Sequence, residues 1–113
     1  MVAMKKFVFA LFAIAVAGFG FVAATSARAA EAKENWGRSC AVCHGGDGKG
    51  KASLHTKDYT GAAAQGEVTD EAAFKAIKEG FKPAKGPAMK AFGDKLSDDE
   101  IRGLVAYVRG LKK

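Results

Sequence analysis

A chain of 113 residues, 49% of them hydrophobic and with a net charge of +6, has room for one domain. The positive balance does not make it a nucleic-acid binder, because no basic motif is interleaved with aromatics. Three of the cations, Lys5, Lys6 and Arg28, sit in an N-terminal stretch without acids, and outside that stretch the net charge is only +3. With two cysteines the chain has too few for a disulfide framework, so a small domain must find another staple.

The N-terminal stretch reads as a targeting segment. Lys5 and Lys6 are followed by an uncharged run from Phe7 to Ala24, and Ala27-Arg28-Ala29 has the small-x-small pattern of a signal peptidase site. Residues 1–29 are expected to be a secretory signal peptide and residues 30–113 the domain, with the periplasm as destination. Left uncleaved, the apolar run approaches the length of a membrane anchor, although Gly18 and Gly20 weaken such a helix.

The remaining elements are helices separated by glycine-rich loops. Glu31 to Cys40 is a short polar helix with Trp36 as its large apolar residue. Gly45 to Gly50 holds four glycines and is loop, and Lys51 to Gly66 is irregular, with a helical turn near Ala62 to Ala64. Thr69 caps a helix whose first turn carries Asp70 and Glu71, whose stripe is Ala73, Phe74 and Ile77, and which stops at Gly80. Lys82 to Gly93, with Pro83, Gly86 and Pro87, is loop. Ser97-Asp98-Asp99-Glu100 is a capping box, opening a last helix with the stripe Ile101, Leu104, Val105, Val108 and Leu111. No run alternates with period two, so the domain is expected to be all-α.

Cys40-Ala41-Val42-Cys43-His44 is the C-x-x-C-H pattern of covalent haem attachment. Two thiols three residues apart face the same way on a helical turn and can form thioethers to the two vinyl groups of one porphyrin. The adjacent His44 then offers an imidazole nitrogen to the iron, and the large apolar disc fills a core that a domain of this size lacks. Zinc would need further ligands beyond Cys40, Cys43 and His44, with only His55 or a carboxylate on offer. A thioredoxin-like dithiol expects a βαβ setting, and a plain disulfide leaves His44 unexplained. On the far side of the iron two residues compete. Met89, the one methionine outside the signal segment, lies in a Pro/Gly loop before the last helix; His55 follows His44 closely in a polar stretch. Met89 is the favoured ligand and His55 the alternative.

In these residues, with Gly45-Gly46-Asp47-Gly48-Lys49-Gly50 near the front and Met89-Lys90-Ala91-Phe92-Gly93-Asp94-Lys95-Leu96-Ser97-Asp98-Asp99-Glu100-Ile101 near the back, the chain resembles the class I c-type cytochromes. The resemblance covers essentially the whole of residues 30–113. It implies a cytochrome c-like fold of about three main helices around one covalently bound haem c, with iron held by His44 and Met89. It also implies that the first and last helices cross where Ala32 and Trp36 meet Tyr107. Lys90 stands where many bacterial members have proline after the ligand methionine, and Leu54 or its neighbours replace a proline of the loop after the glycine cluster.

The resemblance further implies a one-electron carrier, not an enzyme, because two filled axial positions leave no open site. Its partners would be redox proteins acting as donor and acceptor, respiratory complexes among them, and the chain is expected to be a monomer. Lys75, Lys78, Lys82, Lys85, Lys90 and Lys95 outnumber Glu79 and Asp94 between residues 75 and 95, which gives that stretch a field for acidic partners. Tyr59 could bond a haem propionate, with packing as its ordinary role. The rival classes are a peroxidase-like haem protein with a displaceable sixth ligand and a haem subunit of a larger complex.

Overall fold

The computed structural model describes residues 19–113; the charged start of the expected signal peptide and most of its apolar run lie outside them. The described chain is all-α: α1 (Phe19–Asn35), a π-helical turn (Trp36–Cys40), α2 (Ala41–His44), a 3₁₀ turn (Ala52–Leu54), α3 (Ala62–Glu67), α4 (Asp70–Glu79) and α5 (Asp98–Gly110). Among the described residues extended pairing is confined to an isolated antiparallel bridge between Phe81 and Met89.

The first helical stretch is longer than the sequence pattern suggests. Nothing between Thr25 and Asn35 breaks a helix, since Ala27, Ala29, Ala30 and Ala32 are strong helix formers and neither glycine nor proline intervenes. At the other end the helix widens at Trp36–Cys40 and continues as α2 through His44. Gly45 ends it: its φ of +80° carries the backbone out of the helical region at no Cβ cost.

The later helices follow their caps. Thr69 Oγ1 accepts from the Ala72 N–H at 3.1 Å at the start of α4. Ser97 Oγ accepts from Glu100 N–H at 3.1 Å while Glu100 returns its carboxylate to Ser97 N–H at 2.8 Å, so α5 begins with the expected reciprocal box. Each cap removes an orphan N–H and is worth about 1 kcal/mol.

α1 crosses α5 at small residues, with Ala32 buried and close to Gly103, and the Trp36 ring lies 5.4 Å from that of Tyr107. The core comprises Trp36, Cys40, Ile77, Ile101, Leu104 and Val105, with Phe74, Met89, Phe92, Leu96 and Tyr107 packed against it. A second link holds the far end of α5. The buried Gln65 donates to the carbonyls of Tyr59 and Val108, both at 2.7 Å. Arg109 reaches Asp70, Val68 and Gln65, so α3, the start of α4 and the end of α5 are tied through two side chains.

Candidate haem site

The two cysteines stand at the ends of one turn, Cys40 closing the π-helical segment and Cys43 within α2. Both are free thiols; Cys40 is buried and Cys43 half-buried. Burial among apolar side chains pushes the Cys40 thiol up to about 11, because a thiolate there would lose its hydration. The same cause moves His44 below the usual imidazole value.

His44 is half-buried between two aromatics, its ring centroid 5.8 Å from Trp36 and 6.0 Å from Tyr59. Its Nδ1 is buried and has no protein partner. Since buried polar atoms are nearly always paired, an unpaired imidazole nitrogen beside two free thiols marks a place where a further group would fit. The carbonyls at the end of the attachment turn are satisfied from the next loop: Lys51 Nζ donates to Val42 O at 2.7 Å and Thr56 Oγ1 donates to Cys43 O at 2.8 Å.

Met89 is positioned by backbone. Its N–H donates to Phe81 O at 2.7 Å and its carbonyl accepts from Phe81 N–H at 3.1 Å, while Phe92 N–H and Gly93 N–H donate to the last carbonyls of α4, those of Ile77 and Lys78, at 2.8 and 3.0 Å. The loop thus folds back on the end of α4, and the half-buried Met89 packs on the cluster that contains Cys40. His55 is exposed, in the left-handed region at φ 56°, and leans on Gly86. The structure therefore brings Cys40 and Met89 onto one apolar core, with the His44 ring against that core's Trp36, and leaves His55 at its edge.

These residues fit a covalently held haem: two free thiols on one turn, an imidazole with an unpaired buried nitrogen, and a half-buried thioether on the apolar cluster that contains Cys40. Among the described residues no three His, Cys, Asp or Glu side chains come together to hold a metal ion, so a zinc cluster has no geometry here. Two residues that hold the attachment turn, Lys51 and Thr56, carry no signal in the sequence, because a polar side chain aimed at a carbonyl leaves no periodic pattern.

The family described as cytochrome c oxidase, cbb3-type, subunit III matches residues 27–108. Among solved structures the chain is similar to the KustC0563 c-type cytochrome, with 29% identity and a TM-score of 0.62 over 73% of this chain and 98% of that one. It is also similar to cytochrome cL from Hyphomicrobium denitrificans, with 26% identity and a TM-score of 0.59 over 79% of this chain and 50% of that one. No curated protein matches the chain.

Proposed function

Because the chain belongs to the class I c-type cytochromes, within the family of the cbb3-type subunit III domain, we propose that it is a periplasmic one-electron carrier with a single haem. Cys40 and Cys43 hold that haem, and His44 and Met89 ligate its iron. A c-type cytochrome carries its haem covalently and transfers electrons; the number of haems, the ligand pair and the compartment are our reading.

The observation that carries it is the convergence of Cys40 and Met89 on one apolar cluster while His44, with Nδ1 unpaired, lies against Trp36 of the same cluster. Bound haem iron supplies a one-electron couple, and a thioether ligand favours its reduced form. The protein's own part is positioning and exclusion. Lys51 and Thr56 fix the attachment turn, the paired backbone of Phe81 and Met89 fixes the residue that carries the sulfur, and Trp36 and Phe92, on the cluster that Met89 packs against, would help keep water from a bound haem. With both ligands engaged no position is open to substrate, which favours a carrier over a peroxidase-like enzyme.

The family description is that of an oxidase subunit, which supports a second reading in which the chain works docked on a respiratory complex. Among the described residues no helix is long and apolar enough to cross a membrane.

The test is spectroscopic. Protein matured with a periplasmic attachment system should keep its colour on the polypeptide in acid organic solvent, and Cys43→Ser should weaken that attachment. Met89→Ala should admit cyanide to the ferric iron and lower the potential. An unchanged spectrum and potential in Met89→Ala, with a changed one in His55→Ala, would overturn the ligand assignment.

A further inference from the structure

Segment 51–56 touches both halves of the site. At its ends it is fastened to the attachment turn through Lys51 Nζ on Val42 O and Thr56 Oγ1 on Cys43 O. It is also closed on itself, because Thr56 Oγ1 accepts from Lys51 N–H at 2.7 Å and the N–H groups of Leu54 and His55 donate to the carbonyls of Lys51 and Ala52 at 3.0 and 3.1 Å. Its apex, Leu54 and His55, rests on Gly86. A Cβ at residue 86 would stand 2.7 Å from Leu54 O and 3.3 Å from His55 Cβ, and the Gly86 φ of +93° is one that other residues rarely adopt. His55 is itself the one non-glycine residue with positive φ among the described residues, an uncommon conformation held by its surroundings.

Gly86 is followed by Pro87, whose ring fixes φ, and then by Met89 two residues further on. Met89 is in turn pinned to Phe81. A displacement at Gly86 therefore has little slack to disappear into before it reaches the sulfur. We propose that residues 51–56 form a strap that clamps the Met89 loop to the His44-bearing turn through Gly86, so that closure of the sixth iron position is controlled from the opposite side of the haem. Gly86, His55 and Thr56 are positioning residues in this scheme. It rests on the reading that Met89 ligates the iron.

The strap predicts a population effect. A ligand that enters only when Met89 is off binds with an apparent affinity proportional to the open fraction. In the haem-loaded protein, Gly86→Ala should strengthen cyanide binding to ferric iron by about tenfold and lower the midpoint potential, with haem still covalently attached. His55→Gly and Thr56→Val, which leave the Gly86 backbone seat in place, should each strengthen it by about threefold. Gly66→Ala, where a Cβ meets nothing within 4 Å, should change neither. If Gly86→Ala does not accumulate with haem, His55→Gly and Thr56→Val decide. Folded variants whose cyanide affinity and potential match the parent overturn the strap. A parent that already binds cyanide as readily as Met89→Ala would instead overturn the His44/Met89 reading.

Discussion

The indole nitrogen of Trp36 donates to the carbonyl of Gly45 at 3.1 Å in a buried setting, spanning the attachment turn from one end to the other. The same ring packs on Tyr107 of α5 and on His44, so one side chain ties the helix crossing to His44. Trp36→Phe keeps most of the packing and removes one of two donors to this carbonyl, which Gly48 N–H also reaches at 3.1 Å, so the loss should be about 0.5–1.5 kcal/mol. The urea midpoint should fall with an unchanged slope. A midpoint equal to the parent's would mean that the indole bond adds nothing to the one from Gly48 N–H.

What the sequence made legible is what leaves a local pattern. The caps at Thr69 and Ser97 and the stripe Ile101, Leu104, Val105 announce α4 and α5, and C-x-x-C-H announces the attachment turn. The start of the first helix was not legible because a signal-peptide boundary is a protease's mark, not a helix breaker, and the helix runs through Ala29 and Ala30 unbroken. The Phe81–Met89 pairing joins two residues across a stretch with two prolines, where periodicity has nothing to count. Arg109 reads from sequence as a cation suited to the helix dipole, whereas its main task is to reach Gln65, Val68 and Asp70 on other elements.

That task gives a second prediction. Arg109 Nη1 donates to Gln65 O at 2.6 Å, Nη2 to Val68 O at 2.5 Å and Nε to Asp70 at 2.7 Å. Arg109→Met leaves the two backbone carbonyls without their charged donor and should cost about 2–3 kcal/mol. Asp70→Asn touches only an ion pair whose carboxylate is 71% exposed and should cost less than about 1 kcal/mol. Arg109→Lys should recover little, because an ammonium cannot replace the fork. Equal losses in Arg109→Met and Asp70→Asn, measured by thermal unfolding, would reduce the hub to the ion pair.

Exposed positive charge without an ion pair is concentrated on the loop that carries Met89. Lys82, Lys85, Lys90 and Lys95 are exposed and form no ion pair among the described residues, whereas Lys75 and Lys78 face Glu79 and Asp98. If the loop steers an acidic redox partner, Lys85→Glu with Lys90→Glu should slow association about tenfold at low salt. The difference should shrink as ionic strength rises and the screening length falls to about 8 Å near physiological salt. Lys75→Glu should matter less, since that cation is already partly neutralised. Stopped-flow rates that ignore both salt and substitution would make these lysines a solvated surface.

The last prediction concerns export. Residues 26–31 on α1 are all exposed, and Ala32, the next residue, is buried. Cutting after Ala29 therefore removes the exposed residues 26–29 from α1 and leaves the Ala32–Gly103 approach, the Trp36–Tyr107 contact and the attachment turn intact. Arg28 is lost from a shallow surface cleft that it shares with Glu31, Asp99 and Glu100, but exposed charge contacts of that kind are worth at most about 1 kcal/mol. The holoprotein isolated from the periplasm should have the mass of residues 30–113 plus one haem, and its N-terminal residue should be Ala30. Replacing Ala27 and Ala29 with bulky residues should block processing and leave the chain in the membrane fraction, with the haem domain attached and its optical spectrum unchanged. Detergent-solubilised uncut protein and the soluble form should then unfold within about 8 °C of each other, since a difference of at most about 1 kcal/mol moves the midpoint of a domain this size by about 4–8 °C. A markedly less stable processed form would show that α1 residues before Ala30 belong to the fold, and the boundary between signal and domain would have to move toward the N-terminus.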